Sequence, residues 1–238
     1  MSKHIDGVGE VATPTTFKEK ISNFLYHYKW HTVVALAVVI AIVICSLQFC
    51  SKASYDAHIL YIGSKNIGRV AKDGDVPEIV ELTSALKLIT DDFDGNGSVT
   101  IGFTNYYHLS EDEKKQLDDV NETLLNTDMN AIPNVLMHSD YYLSFISVSA
   151  YEKYHKVGDE VRFISLTSFA SGEDVDFYSD YAIYLSSTGA YQIPGLSLLP
   201  EDTLICIRCP SSLGGMTNEH SQYVENAKKM LTNILSYS

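Results

Sequence analysis

Asp92, Asp94, Asn96 and Ser98 alternate with Phe93, Gly95 and Gly97 in the run DFDGNGS, so that oxygen-bearing side chains recur at every second position. That spacing is the first half of a calcium loop, which takes side-chain oxygens from positions 1, 3 and 5. The same loop uses a glycine at position 6, a backbone carbonyl at 7 and a bidentate acid at 12. Gly97 fills the sixth position, but the twelfth is Phe103, which cannot ligate. A calcium site on Asp92, Asp94, Asn96 and Ser98 therefore needs an acid from elsewhere, either Asp91 or one distant in sequence. The competing expectation is a tight turn, because Asn96-Gly97 is a strong turn dipeptide and aspartate side chains bond their own nearby backbone. The missing bidentate acid weighs toward the turn, with calcium as the one cofactor the sequence allows.

Other patterns carry less chemistry. Cys206 and Cys209 form C-x-x-C, but within TLICIRCP, which reads as a strand ended by Pro210. Redox pairs open a helix, whose N-terminus lowers the thiol pKa, whereas residues three apart on a strand face opposite sides. Cys206 is thus expected to be a small core residue and Cys209 a free thiol. PSSLGGMTNEH, residues 210–220, lies between a strand and a helix, where phosphate loops occur. It holds no Lys or Arg and lacks the G-K-[ST] ending. Neither G-x-S-x-G nor H-E-x-x-H is present, and the eight histidines are scattered. No catalytic residue is assigned. Sixteen tyrosines include Tyr106, Tyr107, Tyr141, Tyr142, Tyr151, Tyr154, Tyr178, Tyr181, Tyr184 and Tyr191. Such clusters serve sugar or protein recognition, although most tyrosines on strands simply build the core.

The elements that position these residues begin with an anchor. Thr32 to Phe49 reads TVVALAVVIAIVICSLQF, without a charge. As a helix, 31–50 spans about 30 Å, the thickness of a hydrocarbon core. A buried core helix of that length carries a polar stripe, and this one does not. Tyr26, Tyr28 and Trp30 suit the headgroup layer, and Lys18, Lys20 and Lys29 outnumber Lys52 on the far side. The expected topology is an uncleaved signal anchor, single-pass in the cell membrane, with a cytoplasmic N-terminus and an extracytoplasmic C-terminal domain. Residues 1–16 read as a disordered cytoplasmic tail and 17–30 as a juxtamembrane helix. Residues 31–50 form the transmembrane helix in contact with lipid, 51–55 a tether and 56–238 the outer domain. The net charge of −13 falls almost wholly on that domain. Nucleic acid, which needs a basic surface, is excluded as a partner.

Within the outer domain, Asp56 to Gly63 is apolar on both faces and reads as a central strand. Asp75 is placed to cap a helix over Pro77 to Thr90. Ser98 to Tyr106 alternates as a strand, and Ser110 with Glu113 forms a capping box. Asp128 to His138 reads as a short helix broken near Pro133. Strands are expected over Tyr142 to Val148, Glu160 to Leu166, Asp180 to Ser186 and Asp202 to Arg208, with a helical turn over Ala150 to His155. Pro194 to Pro200 reads as a loop, and Asn218 to Ser236 as an amphipathic helix burying Val224, Ala227, Leu231 and Ile234. The expected fold class is α/β: an N-terminal transmembrane helix followed by a three-layer α/β domain with a mixed sheet.

YHYKWHT before the span, DFDGNGSVTI in the domain and LPEDTLICIR near its end resemble uncharacterised single-pass membrane proteins of Clostridium-like Gram-positive bacteria. Their outer domain is similar to one lobe of an extracellular solute-binding protein. The resemblance implies no catalytic residues. Together with the anchor and the acidic domain it leads to the expectation of a non-enzymatic interaction domain contacting another envelope or transport protein. The alternatives are a small-molecule or sugar sensor with an aromatic pocket and, third, an envelope hydrolase.

Overall fold

The computed structural model describes residues 16–50, 55–67, 77–117, 120–138, 140–170, 175–209 and 218–237. Two compact units, Met1–Ala53 and Ser54–Ser238, divide the chain. In the first, helix α1 runs over Phe17–Cys50, and Tyr28 departs from helical geometry at φ −112° and ψ 20°. The apolar stretch Tyr28–Ser46 is long and apolar enough to cross a membrane. Its two aliphatic hydroxyls turn inward on the helix: Thr32 donates to the Tyr28 carbonyl and Ser46 to the Ile42 carbonyl. That bonding spends groups which hydrocarbon cannot satisfy. The expected tail lies outside the described residues except for Thr16, as do residues 51–54 of the tether, the cap at Asp75 and residues 210–217 of the glycine-containing loop.

The second unit is a mixed α/β fold. Its strands are β1 (Ala57–Gly63), β2 (Ile101–Tyr107), β3 (Leu143–Ser147), β4 (Lys156–Val157), β5 (Glu160–Val161), β6 (Phe177–Ser179), β7 (Ala182–Tyr184) and β8 (Thr203–Ile207). Its helices are α2 (Pro77–Leu88), α3 (Glu111–Gln116), α4 (Glu122–His138), α5 (Val148–Tyr154) and α6 (Asn218–Leu235). Six strands make one mixed sheet in the order β2-β1-β3-β8-β7-β6, parallel through β2-β1-β3 and antiparallel from there on. β4 and β5 form a separate two-stranded hairpin.

β1 is central, as its apolar composition requires, and its side chains alternate between two cores. Ile59 and Tyr61 join the core under α2 and α6, with Leu82, Leu86, Ile89, Leu231 and Ile234. Leu60 and Ile62 join the core under α4 and α5, with Ile132, Leu136, Ala150 and Tyr151. The chain moves from β1 out to β2 and then back across β1 to β3. Crossovers of one hand in opposite directions must use opposite faces, which puts α2 and α4 on opposite sides of the sheet. The four residues expected on the buried stripe of α6 are all buried, and the Ser110–Glu113 capping box closes in both directions. Cys206 is fully buried in the second core and Cys209 is half-buried; both are unpaired thiols whose pKa burial raises.

Three expected elements differ. α4 is neither short nor broken: it starts six residues earlier than expected and runs through Pro133. Asn121 starts it, its side-chain oxygen accepting from the Leu124 N–H at 3.0 Å. The proline costs about 3 kcal/mol in a helix interior, and burial of Leu125, Ile132 and Leu136, at roughly 1.5–3 kcal/mol each, offsets that. Buried Arg208 closes the other end, donating to the Leu136 and Met137 carbonyls while its guanidinium lies 4.5 Å from the centre of the Tyr142 ring.

The strand expected over Glu160 to Leu166 is only the two residues of β5 plus a single bridge between Phe163 and Arg208. Arg162 N–H is drawn away to the His155 carbonyl, which bends the segment out of line. The strand expected from Asp180 begins at Ala182, because Asp180 and Tyr181 are the turn between β6 and β7. It ends at Tyr184, where the chain tightens into a 3-10 turn over Leu185–Ser187.

Candidate functional site

Asp56, just before β1, organises the oxygen-rich loop that sequence singles out. Its carboxylate is buried at 1 % exposure. One oxygen accepts from the N–H groups of Phe93 at 2.7 Å and Asp94 at 3.2 Å, and the other from Thr100 N–H at 2.7 Å. Asp56 N–H in turn donates to the Thr100 carbonyl. One side chain thus pins both ends of the loop to the entrance of the central strand.

Inside the loop the four residues with metal-ligand spacing bond one another. Asp92 accepts from Asn96 N–H at 3.1 Å and Gly97 N–H at 2.8 Å. Asp94 accepts from the backbone N–H and the side-chain amide of Asn96. Asn96 accepts from both the N–H and the hydroxyl of Ser98. Gly97 sits at φ +86°, a backbone region that costs a side-chain-bearing residue. The loop is therefore built as a turn that fastens itself.

Asp92 and Asp94 nevertheless come together with Asp56, their nearest carboxylate oxygens all within 4.8 Å of one another. The acid distant in sequence is Asp56. Asn96 and Ser98 spend their oxygens on each other, and the Asp91 carboxylate faces Asn233. Phe103, at the twelfth position, packs against the core. The donors present fit a partly hydrated calcium ion better than a closed cage, since one oxygen from each of three carboxylates falls short of the six to eight that calcium takes.

Beside this loop lies a cleft of about 260 Å³, lined by Tyr55, Asp56, Phe93, Asp94, Gln222, Tyr223 and Asn226. Three aromatic rings form its walls, and amides and carboxylates face the same space. His58 stands behind the rings, edge-on to Tyr55 at 4.6 Å and to Tyr223 at 6.2 Å between centroids. Burial lowers its pKa, against the opposing pull of the Asp140 carboxylate, so the imidazole is neutral at pH 7. Gly102 makes room for it: opposite His58 in the β1–β2 register, a Cβ at Gly102 would lie 2.8 Å from the His58 Nδ1. A strand glycine here marks close approach by a side chain. Lys229 lies 5.6 Å from the Phe93 ring centre and brings one positive charge to the wall.

Of the tyrosines singled out from sequence, Tyr142 backs the cleft, stacked on Tyr223 at 6.5 Å between centroids, and most of the others go elsewhere. Tyr151 meets Ser179, Tyr178 donates to Glu152, and Tyr191 donates to the Leu199 carbonyl. Tyr106, Tyr141, Tyr154, Tyr181 and Tyr184 pack around the second core. The cleft also uses Tyr55, which sequence assigns to the tether, and Tyr223, which lies on α6 beside its apolar stripe. A signal existed in Tyr223 and Asn226, which flank that stripe at i and i+3. Among the described residues no histidine is hydrogen-bonded to a serine, threonine or cysteine side chain. No protein-family model, curated protein or solved structure matches the chain.

Proposed function

We propose that the chain is a non-enzymatic, membrane-anchored binding domain, displayed outside the cytoplasm, whose Tyr55–Phe93–Tyr223 cleft takes a small hydroxyl-rich solute of the sugar class. The observation that carries this reading is the lining of the cleft. Apolar faces of a sugar ring stack on aromatic side chains, while its hydroxyls need the amides and carboxylates that Asp94, Gln222 and Asn226 supply. The volume suits one ring rather than a chain. The lysine excess before the span supports the outward orientation, and the resemblance to a solute-binding lobe points the same way. Calcium enters as a weak ligand of Asp56, Asp92 and Asp94 that stiffens the wall carrying Phe93 and Asp94. Stabilisation by a ligand that binds only the folded state gives the test. In the full chain in detergent micelles, at least one of glucose, galactose and N-acetylglucosamine should raise the unfolding midpoint by about 2–4 °C near tenfold saturation, more so with millimolar calcium. Tyr223→Ala should remove the response. If none of the three shifts the midpoint with calcium present, the sugar reading is lost.

A second reading is a domain docked on an envelope or transport protein. Val80 and Leu88 favour it: they are 48 % and 70 % exposed on one side of α2, with Ser84 between them. Affinity purification of the full chain from solubilised membranes should return a protein partner that Leu88→Glu fails to retain. Equal recovery with both chains would remove α2 as the docking face.

A further inference from the structure

The ends of β1, β3 and β8 opposite the cleft hold a second group of polar side chains. The order β2-β1-β3 makes the chain diverge between the carboxyl ends of β1 and β3, and ligands of open α/β sheets gather at such points of divergence. Gly63 ends β1, Ser147 ends β3, and Thr203 begins β8 directly across from Ser147. The Tyr61 hydroxyl bends forward over Gly63, into the space where a Cβ at that position would stand. It accepts a long bond, 3.4 Å, from Lys65 N–H.

Ser147 Oγ accepts from Ala150 N–H at the start of α5 and lies 3.2 Å from Ser149 Oγ. Ser149 donates on to Glu113 at 3.3 Å. Asp202 stands next to Thr203, with its backbone carbonyl accepting from Val148 N–H. Both acidic residues thus meet the first turn of α5, Glu113 at Ser149 and Asp202 at Val148, and burial first, then the Glu113 charge, raises the Asp202 pKa. Among the described residues neither is in an ion pair with Lys or Arg. Thr203 is fully buried and its hydroxyl has no hydrogen-bond partner. It shares a sheet face with Ser147 and Tyr61, so it is aimed at the same junction.

We propose that this junction binds a small solute carrying a primary ammonium group beside a hydroxyl, with Glu113 and Asp202 receiving the cation and Thr203, Ser147 and Tyr61 the hydroxyl. The charge argument is direct. Two carboxylates that repel one another in a partly desolvated place gain most from a cation between them. The hydroxyl argument is independent. An unspent hydroxyl in the interior costs free energy unless a ligand uses it.

The probe is 2-aminoethanol, added to the full chain in detergent micelles at constant ionic strength. It should raise the unfolding midpoint by about 3 °C at tenfold excess over its dissociation constant. 1,2-Ethanediol, which lacks the charge, should shift it by less than a third of that. Glu113→Gln keeps the capping geometry and Asp202→Asn keeps the shape, and each should abolish the response. Thr203→Val separates a ligand role from a structural one. It should leave the midpoint of the free chain unchanged or higher, because a buried unpartnered hydroxyl is gone, while weakening the 2-aminoethanol response several-fold. Three results would overturn the proposal: no shift with 2-aminoethanol, an undiminished shift in both carboxylate variants, or a shift with magnesium chloride and none with the amine.

Discussion

Asp56→Ala is expected to lower the unfolding free energy by roughly 3–5 kcal/mol, the largest single effect of any substitution near the cleft. The carboxylate holds three backbone N–H groups, those of Phe93, Asp94 and Thr100, and no other side chain reaches all three. Each donor orphaned away from water costs about 1–3 kcal/mol, and the bonds lost are to a charged acceptor. Water reaches the loop in part, which keeps the sum below the maximum. Asp56→Asn retains one acceptor oxygen and should recover about half the loss. Urea unfolding of the full chain in detergent, followed by Tyr fluorescence and circular dichroism, gives both values. A loss under about 1 kcal/mol in the alanine variant would mean that the loop holds itself through Asp92, Asp94 and Asn96 alone.

The second large effect is a pH dependence set by His108. Its side chain is 2 % exposed and both ring nitrogens lack partners. Burial first, then the nearby Lys153 charge, push its pKa down to about 4, with Glu113 opposing. The folded pKa lies below the unfolded value of about 6.5, so the unfolded chain binds a proton that the folded chain refuses. The stabilisation that the neutral imidazole represents is complete above about pH 6.5. It is lost progressively as pH falls toward 4, to a total of about 3 kcal/mol. His108→Phe keeps a ring against Tyr154, which the imidazole meets edge-on at 5.5 Å, and removes the titration. The measurement is the difference in unfolding free energy between pH 7 and pH 4.5. It should be smaller in the variant by about 2–3 kcal/mol, whatever the variant's stability at pH 7. Parallel curves for the two proteins would show that His108 is protonated at little cost in the fold.

How much of this was legible in the sequence depends on whether a residue's role is local. β1, α2, α5, β8 and α6 follow from periodicity and composition, because their side chains meet the core at a fixed spacing. The capping box follows from four adjacent residues. Pro133 reads as a breaker and so shortens the expected α4, while the cap, Asn121, lies seven residues before the expected start. β6 was missed because three half-exposed residues carry too little pattern. The DFDGNGS turn was legible as chemistry, but not its fastening. Asp56 precedes an apolar strand in DAHILYIG, where an aspartate reads as an ordinary strand entrance. Only the parallel pairing of β1 with β2 brings its carboxylate to Thr100. The cleft was less legible still, since Tyr55, Phe93 and Tyr223 come from three separate segments and none stands in a motif.

The position of β1 has a mechanical consequence. In the second unit the chain passes from Tyr55 at once into the strand that lies between two parallel neighbours, seven residues of it in register with β2 and four with β3. A pull applied at Tyr55 along the strand would draw β1 lengthwise out of the sheet. The ladders on both edges, and the Asp56 carboxylate at the point of entry, would then carry the load together rather than opening one bond at a time. An anchored domain whose attachment ran into the short edge strand β6 would peel from that edge under far smaller forces. The sheet order thus places the N-terminal entry of the second unit on an interior strand, where traction along the chain meets two ladders at once.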